Sequence, residues 1–173
     1  MKKVSVFIIV IIILVIFRSF LFNVFFKYQI VGQREISTMQ NKNSTDIKEN
    51  NVQEIIEYNL DKTSSILSFT FDKCENNPEK LIKTQKANCI GYSALLASSI
   101  INSIETNNFN TEWKVKHQVG EIYFLNININ QYLKSDFFKD HDFVTIENIK
   151  TKEIIAVDPT LYDYFRINNI KLK

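Results

Sequence analysis

The chain has 173 residues, of which 45% are hydrophobic and 23% are charged, a composition typical of one globular domain with an additional segment. Residues 1–27 hold four bases and no acids, so the remaining 17 bases face 19 acids and that part carries a net charge of −2. This balance lacks the basic surface expected of a nucleic-acid-binding domain, and two cysteines are too few for a disulfide scaffold.

The first predicted element is an apolar N-terminal helix. Two lysines precede Val4–Phe26, a run of 23 residues interrupted only by two serines, one arginine and one asparagine. A run of that length is sufficient to cross a bilayer. Residues 1–27 are therefore predicted to be an uncleaved, single-pass signal anchor with a cytoplasmic N-terminus and an extracytoplasmic domain. The alternative is a cleaved signal peptide, which would leave a secreted or periplasmic protein.

Residues 28–50 are polar and aperiodic, which predicts a linker between the anchor and a domain at residues 51–173. Within that domain, apolar residues at helical spacing predict one helix beginning near Val52 and another beginning at Cys89. The second helix is apolar over most of its surface, so it is expected at the centre of the core. Asn88, directly before it, is a suitable N-cap.

The pattern changes to strands after the second helix. Residues 113–129 predict one or two strands, and the segments DFVTIENI and EIIAVD predict a hairpin. Helices followed by antiparallel strands indicate an α+β fold in which the N-terminal helices pack on an antiparallel sheet. No internal repeat and no second domain are visible.

The predicted hairpin ends at an unusual carboxylate. Asp158 follows the apolar segment Ile154–Val157, and a carboxylate in such a place needs a partner. A turn centred directly after Ile149 pairs residues whose numbers sum to 299, which sets His141 opposite Asp158. Opposed Cβ atoms lie about 4.5–5.5 Å apart, a spacing that suits an imidazole–carboxylate hydrogen bond. The sequence therefore predicts a His141–Asp158 pair at the rim of the sheet.

A carboxylate-supported imidazole can activate a nucleophile, as in a catalytic triad, and Cys89 is the nucleophile that the sequence offers. It lies in the first turn of a helix, where the helix dipole and free N–H groups favour a thiolate. Its own N–H is a candidate oxyanion donor. His117 is expected on a partly exposed strand outside the site. Cys74 is expected to be a bystander in a polar loop or, alternatively, a disulfide partner of Cys89.

These segments resemble the transglutaminase-like superfamily of papain-type thiol enzymes. The resemblance rests on NCIGYSALLASSI around Cys89, VKHQVGEI, HDFVTIEN starting at His141, and VDPTLYDY around Asp158. Asn88 stands where the family usually has glycine, and Phe143 where tryptophan is common. The resemblance implies a papain-like cysteine-protease fold and a catalytic Cys89–His141–Asp158 triad. It also implies thioacyl chemistry on a protein or peptide substrate, with no metal and no cofactor.

Three functional hypotheses remain open from the sequence. The first is a membrane-anchored peptidase, amidase or transglutaminase of the bacterial envelope. The second is a catalytically inactive binding or scaffold module with the same fold, and the third is a thiol–disulfide protein that uses Cys74 and Cys89. The reactivity of the Cys89 thiol separates the first hypothesis from the second, because a binding module needs no activated cysteine. The substrate, the acyl acceptor and the oligomeric state are not set by the sequence.

Overall fold

The computed structural model describes residues 11–39, 51–133 and 138–173. In this part of the chain an antiparallel sheet packs against helices, which confirms the predicted α+β class. The helices are α1 Arg18–Phe25, α2 Val52–Ile66, α3 Pro78–Thr84, α4 Cys89–Thr106 and α5 Pro159–Phe165. The strands are β1 Phe26–Arg34, β2 Ser68–Phe69, β3 Lys86–Ala87, β4 Trp113–Phe124, β5 Ile127–Asn128, β6 His141–Asn148 and β7 Ile154–Val157.

The larger sheet has the strand order β1-β4-β6-β7, with the short β5 also paired to β4. All of its pairings are antiparallel. One face of β6 and β7 contributes Val144, Ile146 and Val157 to a core shared with α2 and α4. The opposite face contributes Phe143 and Ala156 to a smaller cluster. Alternation of side chains along β6 thus supplies two cores from one strand.

Strand β1 corrects the predicted linker. Residues 28–34, which the polar composition assigned to a linker, belong to a nine-residue strand that pairs along β4. The pairing register shifts between Ile30 and Gly32, and such a bulge breaks the period-two alternation by which a strand is recognised. The prediction of an aperiodic linker is therefore wrong for this segment. Residues 40–50 lie outside the described residues.

The N-terminal helical segment contacts the end of the chain. Residues 11–16 are also helical, and α1 follows them and runs directly into β1. The guanidinium of Arg18 donates to the carbonyl oxygens of Phe165 and Arg166, at 2.7 and 3.2 Å. The predicted anchor begins at Val4, in residues 1–10, which lie outside the described part. Among the helices that are described, none combines the length and the apolar character needed to span a membrane.

The β6–β7 hairpin has a longer turn than predicted. The Asn148 side chain accepts hydrogen bonds from the N–H groups of Lys150 and Thr151, and Lys152 adopts a left-handed conformation with φ of 63°. Thr145 therefore pairs with Ala156, two positions away from the predicted register. Because a shift of two leaves every side chain on its original face, the two members of the predicted His–Asp pair still share one face.

Candidate active site

Cys89 is the first residue of α4, as predicted. The side chain of Asn88 caps this helix, because its Oδ1 accepts from the N–H groups of Ile90 and Gly91 at 3.1 and 3.3 Å. This cap does not engage the N–H of Cys89, which stays a candidate oxyanion donor beside the thiol. The Cys89 residue is only 6% exposed, so its thiol lies at the edge of the core.

Gly91 allows a loop to approach the start of α4. A Cβ at this position would lie 2.8 Å from the Cβ of Ala87 and 3.2 Å from the carbonyl oxygen of Glu75. The absence of a side chain therefore brings the polar loop that contains Cys74 against the first turn of the helix. One wall of the cleft beside Cys89 depends on this close packing.

His141 and Asp158 form the predicted pair. The Nε2 of His141 lies 2.7 Å from Oδ2 of Asp158. Because an ionised carboxylate only accepts hydrogen bonds, the ring must carry a proton on Nε2 and donate it. The contact runs diagonally between the ends of β6 and β7, since the hairpin register differs from the predicted one by two residues.

Asp158 is buried, whereas the sequence predicted it at the rim of the sheet. It is only 2% exposed and is the N-cap of α5, where its Oδ1 accepts from the N–H groups of Thr160 and Leu161, both at 3.0 Å. Its Oδ2 also accepts from the hydroxyl of Tyr28 at 2.8 Å. Both carboxylate oxygens are thus fully engaged, and the carboxylate is held in a single orientation.

Cys89 meets this pair. Its side chain lies beside the His141 ring and is one of the groups that raise the pKa of that imidazole. Because Nε2 of the ring is occupied by Asp158, Nδ1 is the nitrogen that remains for the sulfur. The structure therefore brings together all three residues that the sequence predicted as catalytic, in the order thiol, imidazole and carboxylate.

The charges of the pair stabilise one another. Burial lowers the pKa of His141, but the negative charge of Asp158 and hydrogen bonds to Asp158 and Cys89 outweigh it, so the pKa lies well above its usual 6.5. Burial likewise raises the pKa of Asp158. The charge of His141 and the four hydrogen bonds that the Asp158 carboxylate accepts nevertheless hold this pKa below its usual value. An imidazolium–carboxylate pair is therefore the favoured state near neutral pH.

No family model, curated protein or solved structure matches the chain.

The ion pair predicts a pH-dependent contribution to stability. A raised pKa means that protonated His141 stabilises the fold below about pH 6.5 and loses this contribution as the pH rises through its folded-state pKa. A lowered pKa means that Asp158 contributes above about pH 4 and loses its contribution as the pH falls. We expect His141→Gln to reduce the free energy of unfolding more at about pH 5.5 than at about pH 9. Urea denaturation of both proteins at each pH measures this, and equal reductions at both pH values would contradict the charged pair.

Tyr28 is a site residue that the sequence did not reveal, because it lies in the segment predicted as linker. It is 2% exposed, and burial together with the charge of Asp158 raises the pKa of its hydroxyl well above 10.0. Its ring packs edge-on against His141 with centroids 5.9 Å apart. The side chain thus fixes both the carboxylate and the imidazole.

Removing the Tyr28 hydroxyl should reduce the stability of the fold. We expect Tyr28→Phe to lower the free energy of unfolding by about 1.5–3 kcal/mol, the usual range for a hydrogen bond to a charged group. Tyr132→Phe is the matched control, because Tyr132 is 76% exposed and the same deletion there should have almost no effect. Chemical denaturation of the three proteins makes the comparison. Equal small losses for both variants would show that the Tyr28–Asp158 bond adds nothing.

A second buried histidine lies outside the triad. His117 is 1% exposed, so its predicted partial exposure is wrong. Its Nε2 lies 2.8 Å from Oδ1 of Asp142, which also binds the guanidinium of Arg34. Burial raises the pKa of Asp142, but these hydrogen bonds lower it overall. The sequence does not reveal this cluster because its members come from β1, β4 and β6, which are far apart in the chain.

Cys74 is next to the site but does not form a disulfide. Both cysteines are free thiols. The Sγ of Cys74 accepts the N–H of Asn88 at 3.1 Å and donates to the carbonyl oxygen of Asp72 at 3.4 Å. Burial raises the pKa of this thiol, and the N–H of Asn88 offsets the rise only in part. Cys74 thus helps to hold the residue that caps the helix of Cys89.

Two clefts flank the triad. A polar cleft is lined by Asn88 and Ile90, the neighbours of Cys89, and by the loop of Cys74. An apolar pocket on the other side is lined by His141 and Asp158 together with aromatic and aliphatic side chains such as those of Phe22 and Leu161. Among the described residues, no group of three or more His, Cys, Asp or Glu side chains is placed to hold a metal ion.

Proposed function

We propose that this protein is a thiol hydrolase of the transglutaminase-like type, acting on amide or peptide bonds through a thioacyl intermediate on Cys89. The observation that carries the proposal is the His141–Asp158 pair, with Nε2 and Oδ2 2.7 Å apart, placed beside Cys89, which helps to raise the pKa of His141. A merely structural buried cysteine has no need of an oriented imidazole with a carboxylate behind it.

The mechanism assigns one role to each residue. The imidazolium of His141 that Asp158 stabilises carries on Nδ1 the proton received from the Cys89 thiol, and the Cys89 sulfur attacks the carbonyl carbon of the substrate. The negative charge that develops on the carbonyl oxygen is stabilised by the N–H of Cys89 at the positive end of α4. As the carbon–nitrogen bond breaks, His141 returns its proton to the leaving amine, and Asp158 keeps the imidazolium oriented throughout. Water, deprotonated by His141, then hydrolyses the thioester.

The fold assignment belongs to the same proposal. The transglutaminase-like resemblance implies a fixed order along the chain. The nucleophile lies at the start of a central helix, the imidazole at the start of a strand, and the carboxylate after the next strand. The three residues come from α4, β6 and the β7–α5 junction, in that order along the chain. The contacts among them support a papain-like arrangement beyond the α+β class.

We also propose that the apolar N-terminal run that starts at Val4 anchors the enzyme to a membrane with its domain on the extracytoplasmic side; its last residue, Phe26, already lies in β1. The support is the length and composition of the run. Retention of the full chain in the membrane fraction after a carbonate wash is the expected result. A mature protein that begins beyond residue 26 would instead establish a cleaved signal peptide.

A product assay tests the proposed reaction. The protein is incubated with a mixture of peptides and a fluorescent primary amine, and the products are identified by mass spectrometry. Cleaved or deamidated peptides indicate hydrolysis, whereas peptides carrying the amine indicate acyl transfer. We expect Cys89→Ala to abolish these products and Cys74→Ala to retain them. Products that persist in Cys89→Ala would overturn the proposal, and no products from the parent protein would favour the binding-module hypothesis.

A further inference from the structure

Arg34 is held in a fixed position at the end of β1. Its Nε and Nη2 atoms contact the two carboxylate oxygens of Asp142 at 2.5 and 3.1 Å. The Asp142 side chain is fully buried and is also bound by His117 at 2.8 Å. A bidentate contact of this kind fixes the plane of the guanidinium as well as its position.

The same guanidinium faces the cleft beside Cys89. The Arg34 side chain is 36% exposed and lines the polar cleft together with Asn88 and Ile90. It is close enough to Cys89 for an electrostatic interaction. The bonds to Asp142 use Nε and one N–H of Nη2, which leaves the two N–H groups of Nη1 outside that contact. A guanidinium that served only to neutralise Asp142 would have no reason to reach the cleft.

The remaining charges of the cleft favour an anion. The carboxylate of Glu75 pairs with Lys80 at 3.2 Å, and Asp72 accepts a hydrogen bond from the hydroxyl of Thr70. Lys73 and Lys86 also line the cleft, and in the described part of the chain neither has a carboxylate within salt-bridge distance. The cations of Lys73 and Lys86 thus lie in the same cleft as the fixed guanidinium of Arg34.

We propose that Arg34 binds a carboxylate of the substrate next to the carbonyl group that Cys89 attacks, so that the enzyme prefers substrates with a carboxylate at this position. This inference rests on the proposed function and names its substrate class. A guanidinium donates two parallel hydrogen bonds to a carboxylate, and Arg34 is pre-oriented for this by its buried partner. The carboxylate comes either from an acidic side chain or from the end of a peptide chain.

A pair of alkylating reagents tests the inference without any turnover. Iodoacetate and iodoacetamide deliver almost the same group to a thiol, but only iodoacetate is an anion. The ratio of their rates at Cys89, followed by mass spectrometry of its peptide, therefore measures anion recognition separately from the intrinsic reactivity of the sulfur. We expect Arg34→Gln to reduce the ratio of iodoacetate to iodoacetamide by about fivefold, the order expected for loss of one nearby charge.

Arg166→Gln is the matched control. Arg166 is an exposed arginine that pairs with Asp61 at 3.3 Å, so the same change of net charge there should leave the ratio within about twofold of its original value. A ratio equally unaffected by Arg34→Gln would overturn the inference. If the Cys89 thiol reacts slowly with both reagents but the ratio still falls in Arg34→Gln, the proposed function fails and the anion site stands.

A second variant covers the case in which Arg34→Gln does not fold, since it removes one partner of a buried carboxylate. Arg34→Lys keeps a cation for Asp142 but cannot bind Asp142 and reach the cleft at once. We measure the preference as the logarithm of the ratio of the iodoacetate rate to the iodoacetamide rate. We expect this value in Arg34→Lys to be at most half of the wild-type value. A wild-type ratio in Arg34→Lys would overturn the inference.

Two isomeric probes identify the source of the carboxylate. N-iodoacetyl-glutamine carries its carboxylate at the chain end, N-iodoacetyl-glutamic acid α-amide carries it on the side chain, and N-iodoacetyl-glutaminamide carries none. The isomer that alkylates Cys89 faster, and whose advantage over the neutral amide disappears in the Arg34 variant, identifies the group that Arg34 binds. No advantage for either isomer over the neutral amide would overturn the inference.

Discussion

Asp158→Ala is expected to impair both the stability and the chemistry of the protein. The substitution removes the acceptor for the Nε2–H of His141, the Tyr28 hydroxyl and two backbone N–H groups. Removing one partner of a buried ion pair typically costs about 3–5 kcal/mol, and we expect a loss of that order in urea denaturation. Loss of imidazole orientation should also slow product formation by about a hundredfold or more.

Asp158→Asn separates these two effects. Asparagine is as good an N-cap as aspartate, so the variant should keep the acceptor for the first turn of α5 and lose less than half of the stability lost by Asp158→Ala. The neutral amide cannot stabilise an imidazolium or hold the correct tautomer of His141, so product formation should fall as far as in the alanine variant. Full activity in Asp158→Asn would show that Asp158 serves only as a helix cap.

Local patterns were sufficient to predict the two long helices of the domain. The apolar spacing after Val52 and the apolar sequence after Asn88 correspond to α2 and α4. The predicted N-cap is also present, since Asn88 accepts from the first turn of its helix. Periodicity and capping depend on residues within a few positions of one another, so one sequence carries the whole signal.

The pairing of His141 with Asp158 was predicted correctly although the predicted strand register was wrong by two residues. The Asn148 side chain stabilises a turn centred one residue later than predicted. The periodicity of the strands does not reveal the position of the turn centre. The two residues nevertheless share a face, because displacing the register by two positions preserves the alternation. Their partnership could therefore be predicted, whereas the diagonal geometry and the burial of Asp158 could not.

The parts of the site that come from β1 could not be predicted. Tyr28 and Arg34 lie in a polar segment with a bulge, and they reach Asp158 and Asp142 across more than one hundred positions of the chain. Nothing local to either residue indicates such a partner. His117 was placed wrongly for the same reason, because its burial depends on Asp142 in the neighbouring strand.

The rate at which Cys89 is alkylated measures whether it is an activated nucleophile, as we propose. Reduced, folded protein is treated with iodoacetamide at about pH 6.5, and the peptides of Cys89 and Cys74 are quantified over time. Cys74 is an internal reference, because burial raises the pKa of its thiol. We expect Cys89 to react about tenfold faster or more, because His141 beside it can accept the thiol proton. We also expect His141→Ala to remove most of that advantage. If Cys89 reacts no faster than Cys74, the proposal is contradicted.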